Sequence, residues 1–188
     1  MTDDATLAAE AYATGERLWQ QGQPDAALAS LLRAVALRPE HPNARNFAGW
    51  LLTTRHRHEA EALAQGLALL VDAHAMAPAE LRPLQNLVEA LAGAGQRARA
   101  LVVIDAALAR DPSWAQAWNL RGWLNGVSDG ADDPKAALSD FEQAVRAYAW
   151  FGDAHFNRGC LALQLGEEAL AHRSFSDAVL AGNCWRAA

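Results

Sequence analysis

The chain has 188 residues, a 52% hydrophobic fraction rich in Ala and Leu, and a formal net charge of -6. Its pI is about 5.4, only Lys135 among the 16 basic residues is a lysine, and no basic stripe is present, which argues against a nucleic-acid partner. No apolar run approaches the roughly 18 residues of a membrane span. The two cysteines, Cys160 and Cys184, suggest no disulfide framework. The acidic start Met1-Thr2-Asp3-Asp4 lacks the basic and apolar regions of a secretory signal, so a reducing cytoplasm is expected.

Helix formers dominate and β-branched runs are scarce, so helices are expected throughout. In chain order they are predicted at 5–21, 24–37, 42–54, 58–76, 80–93, 97–110, 114–126, 134–148, 152–165 and 168–181, with no strand. Asp133-Pro134 marks a helix start, with an acceptor at the N-cap and proline at the first helical position, and Pro24-Asp25 is a weaker version. Pro39, Pro78 and Pro112 each follow an apolar helix and stop it, because proline cannot continue the hydrogen-bond ladder. Counting back five from each gives Ala34, Ala73 and Ala107, and counting back eight gives Leu31, Leu70 and Ile104. Small residues at the first set let two helices approach, and large ones at the second fill the neighbouring gap.

The spacing recurs with a period near 34 residues, the mark of a stacked helical array. Residues 8–41 carry Gly15, Leu18, Ala27, Leu31, Ala34 and Pro39. Residues 81–114 carry Leu84, Leu91, Gly95, Ala100, Ile104, Ala107 and Pro112. Residues 115–151 carry Trp118, Gly122, Phe141 and Ala144, and residues 152–185 carry Gly159, Gly166, Ala171, Phe175 and Ala178. On these residues the chain resembles the tetratricopeptide repeat family. The resemblance implies an all-α, right-handed superhelical solenoid of about five antiparallel helix pairs, forming a single domain over 1–188. Repeat two, 42–80, is five residues long beyond the norm, with Gly66 in place of the usual Ala and the excess expected near Thr54–His58. Repeat four carries three extra residues in Ser128–Asp133 and ends at Ala149 rather than at proline. Asn46-Phe47-Ala48-Gly49-Trp50 matches Asn119-Leu120-Arg121-Gly122-Trp123 at a separation of 73, as a duplicated two-repeat unit would.

Candidate chemistry is sparse. His56 and His58, near Glu59 and Glu61, are two residues apart and diverge if helical, so a solvated turn outweighs a metal site. Asp129-Gly130-Ala131-Asp132-Asp133 lacks the calcium-loop spacing and reads as a helix-capping acidic turn. Arg121 and Arg158 precede the small Gly and are expected to lay their stems along the next helix rather than to bind an anion. Cys160 reads as an inert, partly buried residue. There is no Gly-x-Ser-x-Gly and no Gly-rich phosphate loop, so no enzyme, cofactor or metal is expected.

Seven tryptophans are many for this length. Trp118 falls at a packing position and Trp114 at a helix start. In the family that the chain resembles, positions 2, 5, 9, 12 and 13 of each first helix face the concave groove. Carried over, they give Tyr12, Glu16 and Trp19 in repeat one, then Asn43, Asn46, Trp50 and Thr53 in repeat two. Repeat three gives Arg82, Gln85 and Glu89, repeat four Gln116, Asn119 and Trp123, and repeat five Asp153, Phe156 and Cys160. Aromatic side chains supply contact area at low entropic cost, and amides can satisfy an extended backbone. The groove has no lysine of the kind some such modules use to clamp a C-terminal carboxylate, so the expected ligand is an internal peptide or a partner helix. The expected role is a protein-interaction adaptor without catalysis. A self-assembling structural module, a bacterial secretion accessory or a toxin-neutralising protein using the same groove are the alternatives. Phe175, Val179 and Leu180 are expected to be uncovered on the last helix, so a homodimer through the C-terminal end, or a fold-back of Trp185 onto it, is also anticipated.

Overall fold

The computed structural model describes residues 3–128 and 131–184, which form ten α-helices and, among the described residues, no strand. They are α1 (Asp4–Gln20), α2 (Pro24–Leu37), α3 (Pro42–Arg55), α4 (Ala60–Met76), α5 (Leu81–Gly93), α6 (Arg97–Arg110), α7 (Ala115–Gly126), α8 (Pro134–Ala147), α9 (Gly152–Gln164) and α10 (Glu168–Cys184). Each predicted helix is present. The largest difference is at α10, which runs past the expected stop at 181 because a single helical Gly182 costs only about 1 kcal/mol relative to Ala. The excess of repeat two divides as its sequence suggests. A longer turn at residues 56–59 takes part of it, and α4 takes most of it, with 17 residues against the 14 of α2.

Pro39, Pro78 and Pro112 lie two residues beyond the ends of α2, α4 and α6. Two of the proline-led starts are capped by side chains: Asp133 accepts from the Ala136 amide, and His41, through Nδ1, accepts from the Ala44 amide ahead of Pro42. The chain divides into two compact units, 1–94 and 95–188.

In the first unit, α1 and α2 form a hairpin closed at Gly22, whose φ of 72° lets the Gln23 amide reach back to the Leu18 carbonyl at 2.9 Å. The hairpin core is Gly15 over Leu31 and Ala27. A Cβ at Gly15 would fall 2.7 Å from Leu31, which is why the large and small positions alternate across the pair. Between α3 and α4 the backbones themselves meet. A Cβ at Gly49 would lie 2.9 Å from the Gly66 carbonyl, and one at Gly66 3.0 Å from the Gly49 carbonyl. Gly66 in the usual alanine position is thus the partner of Gly49. α5 closes this unit on buried Leu84, Leu87, Val88 and Leu91.

In the second unit the same device recurs with aromatic rings. Gly122 on α7 sits against Phe141 of α8, and Gly159 on α9 against Phe175 of α10, each with a ring atom 2.7 Å from where a Cβ would be. Phe175 is therefore half-buried against its own repeat, which corrects the expectation that it lies bare. Val179 and Leu180 are exposed, at 62% and 55%. Trp185 and the Asp129-Gly130 part of the acidic turn lie outside the described residues.

The two arginines preceding these glycines are also corrected. They do not merely lay their stems along the next helix. Arg121 makes a forked pair with buried Asp140 on α8, at 2.7 Å from Nη2, and reaches Asp105 on α6 at 2.7 Å from Nη1. Its guanidinium also lies 4.6 Å over the Trp118 ring. Asp140 and Asp105 hold the Arg121 pKa above its ordinary value, against the opposing effect of burial. Arg158 donates to the Ser174 hydroxyl at 2.9 Å and approaches Asp177. These planar forks tie first helices to second helices, so their charge serves the fold.

Candidate functional site

The first helices α1, α3 and α5 of the first unit place one face of each in a common groove of about 770 Å³. α1 contributes Tyr12, Glu16, Trp19 and Gln20. α3 contributes Asn43, Asn46, Phe47 and Trp50. α5 and its N-cap contribute Glu80, Arg82, Pro83, Gln85, Asn86 and Glu89. The structure thus brings together Tyr12, Glu16, Trp19, Asn43, Asn46, Trp50, Arg82, Gln85 and Glu89, which are all but one of the residues that the repeat register put forward in this half of the chain.

The one left out is Thr53, a correction. It was expected in the groove, but its hydroxyl donates back to the Gly49 carbonyl at 3.0 Å and the residue is buried.

Three rings form the apolar part. Trp19 and Trp50 meet edge to face at 5.1 Å between centroids, and Phe47 lies 6.0 Å from each. Such geometry sets the positive edge of one ring against the negative face of the other. Both indoles are half-buried, so each packs against the neighbouring repeat and still shows surface to the groove.

The polar part is organised from within. Asn46 is only 5% exposed, and its Oδ1 accepts from Asn86 Nδ2 at 3.0 Å, linking α3 to α5. Gln85 donates to Glu89 at 2.8 Å along one face of α5. The Tyr12 phenol is pushed up to about 12, first by burial and then by its hydrogen bond to Glu16 and that residue's charge, with Arg82 pulling the other way. The Tyr12 ring also packs on His41 at 5.0 Å.

Sequence reasoning missed Gln20, Phe47, Glu80, Pro83 and Asn86. The signal for Asn86 was present. Asn46 and Asn119 share a repeat position, and Asn119 accepts from Asn157 at 3.1 Å as Asn46 does from Asn86. The same amide link is therefore built in both units.

In the second unit, Gln116, Asn119 and Trp123 lie half-buried on α7. Phe156 on α9 is 55% exposed, its ring 5.8 Å from that of Phe175. Asp153 is exposed and Cys160 is a half-buried free thiol. At the turn before α4, His56 Nδ1 stands 3.0 Å from Glu59 Oε1. No described helix is long and apolar enough to cross a membrane.

Residues 12–79 match the tetratricopeptide repeat family model. A search of curated protein sequences gives no match. Among solved structures, the chain is similar to MamA 41-end from Desulfovibrio magneticus RS-1, at 18% identity and TM-score 0.68, covering 98% of both chains. It is also similar to TTC0263, a thermophilic tetratricopeptide repeat protein of Thermus thermophilus, at 21% identity and TM-score 0.65, covering 92% of this chain and 90% of that one. YrrB, described as a tetratricopeptide repeat protein with an unusual peptide-binding site, aligns at 18% identity and TM-score 0.56, covering 91% and 84%. At these identities the likeness is one of fold: residues 12–79 match tetratricopeptide repeats, and the chain as a whole has the fold of tetratricopeptide repeat proteins.

Proposed function

We propose that this chain is a non-enzymatic adaptor that holds a segment of another protein in the groove formed by α1, α3 and α5. A tetratricopeptide fold supports a protein-interaction scaffold in general. The observation that carries the specific reading is the groove of about 770 Å³, whose lining combines half-buried aromatic rings with amides and a small set of charged side chains. Its polar side chains are paired with one another, as in Gln85–Glu89 and Asn86–Asn46, which suits recognition better than proton transfer. The unusual peptide-binding site named for YrrB lends the reading support by analogy. We place this role in the cytoplasm, in keeping with a sequence that carries only two cysteines. Fractionation of cells expressing the tagged full chain checks it.

The test is affinity capture from the native cell with the wild-type chain and with Trp50→Ala. The proposal expects at least one protein held by the wild type to be lost from the variant. Identical captured sets, with the variant folded, reject the groove as the binding surface.

A second reading has its own observation. Val179 and Leu180 on α10 are more than half exposed, and a second copy of the chain would cover them. Homodimerisation through this helix makes stability depend on protein concentration.

A further inference from the structure

The groove has a charge pattern that the repeat register makes specific. Glu16, Trp50 and Glu89 occupy the same position, the ninth, of three successive first helices counted from residues 8, 42 and 81. The residues immediately before them verify the register. Gly15 sits on Leu31, Gly49 on Gly66 and Leu70, and Val88 is fully buried. The three therefore form a row across the groove: a carboxylate on α1, an indole on α3 and a carboxylate on α5. All three line it.

We propose that this row is a subsite for a cationic side chain, an arginine of an extended partner segment, seated over the Trp50 indole between Glu16 and Glu89. The inference rests on the groove being the binding surface and names what it selects. An indole face attracts a cation through its quadrupole, and a planar guanidinium can stack on it while its edge N–H groups meet carboxylates. The lining as a whole agrees. Glu16, Glu80 and Glu89 stand against the single guanidinium of Arg82, a formal charge of -2. Arg82 lies seven residues before Glu89 on α5, about 10 Å along the helix axis. Its charge is felt at the Tyr12 phenol, which bonds Glu16, so it offsets part of the negative charge at that end of the row. Both carboxylates of the row are exposed, and each already accepts one neighbour, Glu16 from Tyr12 and Glu89 from Gln85. An ionised carboxylate has further lone pairs, so neither is saturated. Those neighbours hold the carboxylates facing the groove and reduce the entropy lost on binding.

The probe is a set of fluorescein-labelled nonapeptide libraries with degenerate flanks and a fixed centre of Arg, citrulline, Leu or Glu. Fluorescence polarisation reads their binding to the full chain. Citrulline keeps the shape of arginine without its charge. The Arg library is expected to bind roughly tenfold more tightly than the citrulline library, through the cation–π contact and the flanking ion pairs. The preference should shrink as salt is raised, as exposed charge pairs do. The double variant Glu16→Gln, Glu89→Gln, whose sites are exposed, should melt like the wild type and lose the Arg-over-citrulline preference. Equal binding of the Arg and citrulline libraries, with both weakened by Trp50→Ala, overturns the cationic subsite and leaves the groove reading standing. Tighter binding of the Glu library overturns the subsite outright. Absence of binding by every library at millimolar peptide overturns both.

Discussion

Trp50 shows how one side chain can serve both packing and recognition. It meets Trp19 and Phe47 on one side and the groove on the other. A fully buried aromatic such as Phe141 is expected to lose about 3–5 kcal/mol on truncation to Ala. Trp50→Ala should lose clearly less than Phe141→Ala while weakening partner capture. Thermal melts of the two variants check this, and equal losses would assign Trp50 to the core. Tyr12 offers a second test at this scale. Its phenol is raised from 10.0 to about 12 in the folded chain. The corresponding stabilisation is therefore complete below pH 10 and is lost as pH rises through 12. In a Tyr148→Phe background, phenolate absorbance should appear with a midpoint near 12, and adding Glu16→Gln should lower it only part of the way, because burial is the larger cause. The groove-lining residues of the first helices were legible because the resemblance to tetratricopeptide repeats implies which positions of each first helix face the groove. Thr53 was not, because a hydroxyl can fold back on its own helix, and Phe47 was not, because its ring enters the groove through its contacts with two tryptophans.

At the scale of elements, caps and inter-helix forks divide the work. Asp133 closes the start of α8 on the Ala136 amide, and Asp133→Ala should cost about 1 kcal/mol in denaturant melts. Asp140 is a heavier element link, since it answers both Arg121 and the Asn125 amide from within the α7–α8 pair. Asp140→Ala should cost about 3 kcal/mol by leaving a partly buried guanidinium and an amide without their acceptor. A loss below about 1 kcal/mol would show that water replaces the carboxylate. Helix positions were readable from proline and glycine because those residues act on the backbone locally. The forks were not, because Arg121 and Asp140 are 19 residues apart and meet only once the orientation of the two helices is set.

For the whole molecule, the repeats explain why composition spoke so directly. An array buries its apolar faces between sequence neighbours, so a period of about 34 residues carries nearly all the topological information. Far-UV circular dichroism should be helical throughout, with no sheet contribution. A dimer through α10 predicts a melting temperature that rises with protein concentration and a doubled mass by light scattering. Val179→Ser with Leu180→Ser should remove both effects, and a monomeric wild type ends that reading. The partner's identity was never legible, because the same fold positions carry different side chains in different members and only the groove's own chemistry narrows the choice.

The crossing of Gly49 and Gly66 has a consequence for how this sequence can vary. Either position, given a methyl group, would press it to within about 3 Å of the other's carbonyl oxygen. No rotamer adjustment relieves a backbone-to-backbone collision, so the helices must part. Parting them strips contacts from Leu52, Leu69 and Leu70 together. The two sites therefore have no permissive intermediate: a change at one cannot be rescued by any replacement at the other, since glycine is already the smallest residue. In a saturation library scored for folding, columns 49 and 66 should be empty apart from glycine. Columns 93 and 182, where an added Cβ would meet nothing, should fill with alanine.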